Sequence, residues 1–508
     1  MPTCCRRSLS LMILVATLTV WSAAAVAELT LPAVFGDHMV LQRDATLPVW
    51  GWAEPGQTVI VTLNGKTAQS LAHEDGSWRV DLDAMPAGGP YELTVTAGSD
   101  TQTFRDVMLG EVWVCSGQSN MDMRLLKIWD DARIEQKLQR DGLRLFRVER
   151  AIADTPQHHL DAAWTRCEPA EARMFSAVAY FMGARLQQEL GVTVGLIHTA
   201  YGGTPAEAWT ATDRLAANPE LATILERWDR RVASYEADLA AYEAAKAEGD
   251  ADARPPAEPP ARYAPGGLFN AMVHPLIPYA VRGAVWYQGE SNVWRAMQYQ
   301  PLLTALIEDW RERWGQDDFA FGIVQLPNYE NPPRVPPGIF SWAELREAQL
   351  HVSQQLDDVG LAVTIDIGDP TDIHPVNKQP VGERLAGWAL THTYGQPHVS
   401  SGPIFSAHHI VGDQVILHFD HVGSGLAARD GGPLKGFVIA GSDRKFRWAK
   451  AVVDGDRIVV SEAKVKTPLA VRYAWADNPY WANLINRDGL PASPFRTDDW
   501  ESITQSSP

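Results

Sequence analysis

The chain has 508 residues, 45% apolar and 21% charged, a globular composition too long for one small module. Lys and Arg number 44 against 62 Asp and Glu, a net charge of −18. A surface this acidic repels phosphate backbones and anionic bilayers, so neither nucleic acid nor a membrane is expected as a partner. Residues 1–27 read as a signal peptide. Arg6 and Arg7 precede the apolar stretch Leu9–Trp21, and Ala25-Val26-Ala27 is a small-x-small cleavage site before Glu28. The stretch is too short to span a bilayer, and no later run of 18 apolar residues follows. The expected location is therefore secreted or periplasmic. Of four cysteines, Cys4 and Cys5 lie in the signal, leaving Cys115 and Cys167, too few for a disulfide framework.

Residues 28–107 read as an N-terminal β domain. Thr58–Leu63 has strand character, Asn64-Gly65 is a type I′ turn, and Lys66 starts the return strand. Asp75-Gly76 is a second turn, before the alternating run Trp78–Leu82. Short strands with a turn about every ten residues suggest a small sandwich. From 108 to 399 strands and helices alternate, the mark of βαβ units and a mostly parallel sheet. The strands are Glu111–Cys115, Val194–Thr199, Gly283–Tyr287, Phe319–Gln325 and Gly360–Ile365. The helices include Ala177–Leu190, Pro301–Trp314 and Ser341–Leu356, the last with Ser341 and Glu344 at capping-box spacing. A helical insertion occupies about 213–262, with Asn218 as N-cap, Pro219 at the first helical position, and apolar residues every three or four positions from Leu221 to Tyr242. Residues 400–508 return to β character, with an Asp454-Gly455 hairpin turn and an irregular stretch from Asn478 to Asp498.

Open α/β sheets place their sites at the carboxyl ends of strands. The first strand runs into Ser116-Gly117-Gln118-Ser119-Asn120-Met121. Gly followed by Ser ahead of a helix is the kind of turn that exposes a nucleophilic hydroxyl, with Ser116 as the competing serine. The next strand ends in Gly202-Gly203, which can aim an N–H into a cleft. The third ends in Gln288-Gly289-Glu290-Ser291-Asn292. There Gln288 or Asn292 can donate to an oxyanion, and Glu290 is a base or a helix cap. The last is followed by Asp366, Asp369 and Asp372 and then His374. An imidazole with a carboxylate to orient it can take a serine proton. The three aspartates lack the spacing of an EF-hand.

At these residues the chain resembles the SGNH hydrolases, and among them the sialate O-acetylesterase group of carbohydrate esterases. The likeness rests on Val114–Met121, Gly202–Trp209, Trp286–Asn292 and Asp372–Pro375, with Gly266–Met272 and the tail Gly489–Asp498 also similar. The resemblance implies a three-layer SGNH-type (flavodoxin-like) parallel sheet with accessory β-sandwich-like regions at both ends. It implies a serine esterase without metal or other cofactor, acting on acetylated carbohydrate. Ser119 is then the nucleophile and His374 the base, and the N–H of Ser119, the N–H of Gly202 and the Gln288 amide form the oxyanion hole. The superfamily places its acid three residues before the histidine, where this chain has Thr371. Asp372 is expected to take that part, with Asp369 or a backbone carbonyl as alternatives. Two other classes are open to this sequence: a glycoside hydrolase using Glu290 and Asp366, and a sugar-binding protein without turnover. Sialate would call for a basic residue such as Arg295 or Arg346; xylan or xyloglucan would not. The sequence does not set the oligomeric state.

Overall fold

A computed structural model describes residues 28–128, 138–316, 319–335 and 340–504. The proposed signal at 1–27 lies outside these. The N-terminal region contains β1 (Val40–Gln42), β2 (Leu47–Trp52), β3 (Thr58–Leu63), β4 (Lys66–Leu71), β5 (Ser77–Leu82) and β6 (Gly88–Ala97). β2 and β5 pair as one small sheet, while β3 pairs antiparallel with β4 and β6. Asn64 and Gly65 both have positive φ, 48° and 75°, as the type I′ turn requires.

The next strand, β7, is 18 residues long, Asp100–Gly117. Its first half pairs with β6, and its second half becomes the centre of the α/β sheet. The expected junction at 107–108 therefore falls inside an unbroken strand. Alternation in β3 to β6 and the fully buried run Val112–Ser116 look like separate domains in sequence, because one half of β7 is covered on one face and the other on both.

β8 (Arg140–Arg147), β9 (Trp164–Cys167), β10 (Val194–Ala200), β11 (Gly283–Tyr287), β12 (Ala320–Val324) and β13 (Val359–Ala362) complete the main path, in the order β13-β12-β11-β7-β10-β8-β9. All neighbours are parallel except β8 and β9. After β7 comes a one-turn helix, α1 (Ser119–Asp122). Longer helices follow: α2 (Ala177–Leu190), α3 (Pro219–Ala247), α4 (Ala296–Trp314), α5 (Ser341–Gln355) and α6 (Gln379–His392). Trp310 of α4 meets Trp286 and Phe321 on one face of the sheet. Trp388 of α6 packs edge-on against Trp113, with ring centroids 6.3 Å apart, on the other face. Register places Trp113 opposite Gly283, and Trp286 points the other way. Both faces are thus covered by helices.

Two local expectations change. The helix expected at Pro301–Trp314 starts earlier, at Ala296, with Pro301 accommodated inside its second turn. The capping box at Ser341 does not form. Phe340 is the N-cap, and Glu344 instead accepts the backbone N–H groups of Ile503 and Thr504. The Asn218 cap is as read: its side chain accepts the Glu220 N–H, 3.0 Å away. Residues 404–496 form antiparallel sheets, including Ile404–Val411 with Gln414–Asp420 and Phe437–Ala440 with Ala470–Tyr473. The tail braces this region to the core: Arg496 binds Glu347 of α5 at 2.8 Å, and Asp498 binds Arg472. Cys115 and Cys167 are both buried and free. Burial pushes both thiols up, that of Cys167 to about 12.

Candidate active site

The carboxyl ends of β7, β10, β11 and β13 converge on Ser119. At the end of β7, Gly117 has φ +139°, and a Cβ there would lie 2.2 Å from the Tyr287 carbonyl oxygen. Only a residue without a side chain lets β7 and β11 close together at this point. The turn is held on both sides: Gln118 N–H donates to Tyr287 O, and Tyr201 N–H to Gly117 O. Ser119 consequently opens α1 half-buried, whereas Ser116 is fully buried within the strand. Ser116 is thereby removed as the rival nucleophile.

His374 arrives on the loop after β13. Its Nε2 lies 2.8 Å from Ser119 Oγ, although 255 positions separate the residues. Asp372 Oδ1 stands 3.5 Å from His374 Nδ1 and also accepts the His374 backbone N–H at 2.8 Å. Asp369 is elsewhere engaged, its Oδ1 accepting the Thr371 N–H and hydroxyl and the Asp372 N–H. It shapes the turn that presents Asp372 and does not face the imidazole.

Gly202 lies directly against the serine: a Cβ on it would be 3.4 Å from Ser119 Cβ. Among the described residues nothing accepts the Gly202 N–H. The neighbouring turn is fixed by Thr204, whose hydroxyl donates to Tyr201 O and accepts from the Trp209 indole. Gln288, expected as an oxyanion donor, has both amide hydrogens occupied. They go to Thr204 O at 3.2 Å and Asn292 Oδ1 at 2.7 Å. This corrects the expectation, because a donor already bonded on both hydrogens has none left for an oxyanion. Asn292 carries the link onward. It accepts from Ala206 N–H and donates to Glu207, which also binds Arg295. Gln288 and Asn292 therefore fasten the loops after β10 and β11 to one another.

A second buried network lies behind the serine. Lys378 Nζ donates to Asn120 Oδ1 at 2.6 Å, and Asn120 Nδ2 donates to Glu290 Oε1 and to the Ile373 carbonyl. Burial pulls the Lys378 ammonium down to about 7, opposed by the charges of Glu290 and Asp372. Burial raises Glu290, with the Asn120 hydrogen bond opposing. Asn120, next to Ser119, is thus tied to Ile373, next to His374. Neither Asn120 nor Lys378 stands out in the sequence, since the pairing spans 258 positions. Asp366 is held by both guanidinium nitrogens of Arg384, at 2.7 and 2.8 Å. Glu290 and Asp366 thus sit in different networks, Glu290 bonded to Asn120 and Asp366 to Arg384. Arg346, a candidate for a substrate carboxylate, is fully buried and donates to four backbone carbonyls, including Leu326 and Ala476. It is a clamp between α5 and the C-terminal region. Arg295, the other candidate, does border an open cleft.

Residues 109–242 match the family described as carbohydrate esterase, sialic acid-specific acetylesterase. The chain is 30% identical to the sialate O-acetylesterase of Mus musculus over 510 residues, which cover 90% of this chain and 92% of the mouse protein. The chain belongs to the sialate O-acetylesterase family. The Homo sapiens sialate O-acetylesterase is 29% identical, with 90% of each chain covered. Among solved structures, a carbohydrate acetylesterase from Xanthomonas citri superposes with a TM-score of 0.81 at 38% identity, covering 93% of this chain and 100% of that one. As a member of the sialate O-acetylesterase family, the chain is a carboxylic ester hydrolase that removes O-acetyl groups from carbohydrates. The family match spans Ser119 but ends well before His374.

Proposed function

We propose that Ser119 is the nucleophile of this esterase and His374 its general base. The observation that carries this is the 2.8 Å contact between Ser119 Oγ and His374 Nε2. His374 takes the hydroxyl proton as Ser119 attacks the acetyl carbonyl. The Ser119 and Gly202 N–H groups stabilise the oxyanion. His374 then protonates the departing sugar oxygen, leaving an acetyl-serine. Water gives its proton to His374 and attacks that ester, and His374 returns the proton to the Ser119 oxygen as acetate leaves. Asp372 stabilises the imidazolium from 3.5 Å. Five parallel strands in the order β10-β7-β11-β12-β13, with helices on both faces, support the three-layer SGNH arrangement, with β8 and β9 added at one edge.

Sialate is the first substrate to test, because the mammalian relatives are named for it. Ser119→Ala should abolish acetate release from 9-O-acetyl sialate without lowering thermal stability, and a fluorophosphonate probe should label the wild-type serine alone. Undiminished acetate release by the alanine variant would overturn the assignment. Residues 1–27 are proposed as an export leader on their sequence pattern, testable by N-terminal sequencing of the exported protein.

A further inference from the structure

The inserted helix α3 forms one wall of a cleft of about 220 Å³ beside the catalytic loops. Pro205 and Ser291 are among its lining residues, and they belong to the loops after β10 and β11. Ser291 N–H donates to Gln118 Oε1. Gly202 backs onto Ser119, and the next residue, Gly203, lies near the Arg262 guanidinium. The cleft is thus bordered by the two loops that pack against the Ser119 turn.

Its charge is opposite to that of the molecule. Arg227, Arg231 and Arg295 line it, with Glu207 the one acid among the lining residues. Glu207 is buried and already bonded to Asn292 and Arg295. Arg227 lies 3.9 Å from the same carboxylate and, among the described residues, otherwise bonds only the neutral Gln298. Among the described residues no carboxylate pairs with Arg231. Positive charge thus exceeds negative in this cleft of a chain with net charge −18. An anionic substrate approaching such a protein gains most where a concave site carries the opposite sign. Trp228 and Tyr263 add two half-buried aromatic faces in the same cleft, the kind of surface on which a pyranose ring rests.

We propose that this cleft is the acidic-sugar subsite of the esterase, in which Arg227 and Arg231, backed by Arg295, hold a sugar carboxylate while Ser119 attacks the acetyl ester. The proposal rests on the esterase reading and adds the recognition chemistry that would separate acidic sugars from neutral ones. Arg231 supplies the accessible charge, because Arg295 is tied to Glu207. The carboxylate can come from a sialic acid or from a uronic acid.

The test compares 9-O-acetyl N-acetylneuraminic acid with its C1 methyl ester, which is the same sugar without the charge. The parallel pair is an O-acetylated methyl glucuronoside and its methyl ester. Wild-type kcat/KM should favour the free acid of at least one pair by about tenfold, one charge-assisted contact. Arg231→Gln should bring that ratio close to one, mainly through KM, and R227Q/R231Q should do so fully. Arg230→Gln, on the same helix but outside the cleft and paired with Glu226, should keep the wild-type ratio. Whichever pair shows the preference identifies the sugar. A wild-type ratio near one for both pairs, or a ratio unmoved by R227Q/R231Q, would overturn the subsite. Neither result touches the esterase reading, which fails only if Ser119→Ala still releases acetate.

Discussion

The acid beside His374 is exposed, and this sets how much it can contribute. Asp372 Oδ1 is 3.5 Å from Nδ1, with side-chain exposures of 41% for the histidine and 59% for the aspartate. Two unit charges at that distance attract by about 1 kcal/mol in water and about 5 kcal/mol at an effective dielectric near 20. The exposure places this pair near the aqueous limit. Asp372→Asn is the clean perturbation, because an amide oxygen can still accept the His374 N–H and keep the turn. The expected loss in kcat/KM is about tenfold or less, far below the roughly 10⁴ that a buried triad acid supplies. The difference between variant and wild type should also narrow in 1 M salt, where the screening length falls to about 3 Å. Steady-state acetate release at low and high salt measures both. A loss beyond about a thousandfold would show that the pair is desolvated in the working enzyme. No loss at all would leave the orientation of His374 to a backbone carbonyl. The first result would refute the reasoning from exposure; the second would remove Asp372 from the mechanism.

The same substitution at two glycines should have opposite effects. Gly117→Ala drives a Cβ to 2.2 Å from a backbone oxygen at a positive φ, so a loss on the order of 3 kcal/mol or more in unfolding free energy is expected. Gly202→Ala meets Ser119 at 3.4 Å; it should fold normally but lower kcat, by about 10²-fold if the oxyanion position is crowded. Lys378→Met strips Asn120 Oδ1 of its donor, which should cost about 1–3 kcal/mol in stability and lower kcat more than it raises KM. His198 is buried beside Asp122, and burial holds it down to about 4 from its ordinary 6.5. The unfolded chain then binds this proton between pH 6.5 and 4 while the folded chain does not. Stability is therefore full above pH 6.5 and falls as pH drops towards 4, by about 3 kcal/mol for this residue. His198→Phe should flatten that part of a denaturation profile measured from pH 7 to pH 4.5.

The strands ending at Ser119, Gly202 and Gln288 were legible because buried parallel strands leave short apolar runs, and their sites follow at the carboxyl ends. Gly283–Tyr287 and Ala177–Leu190 coincide with the expected spans. What sequence does not reveal is which polar atoms are already satisfied. Gln288 has the right chemistry for an oxyanion donor, but its neighbours take both hydrogens. Arg346 has the right charge for a carboxylate, yet it lies buried among four carbonyls. Asn120 and Lys378 were missed for the converse reason: their significance lies in a contact across 258 positions. The periodicity of α3 was plain, but only the fold shows that Arg227 and Trp228 line a cleft with Tyr263.

The 18 residues of β7 have a consequence for how this enzyme can be divided. A single extended rod begins among the front hairpins and ends at the bend that presents Ser119. Trimming the chain to start at 108 would cut that rod partway along its length and strip the remaining end, Met108–Gly110, of its β1 partner. The front hairpins cannot be exchanged as a cassette; any recombined or shortened enzyme must carry them along or supply another mate for the bared edge.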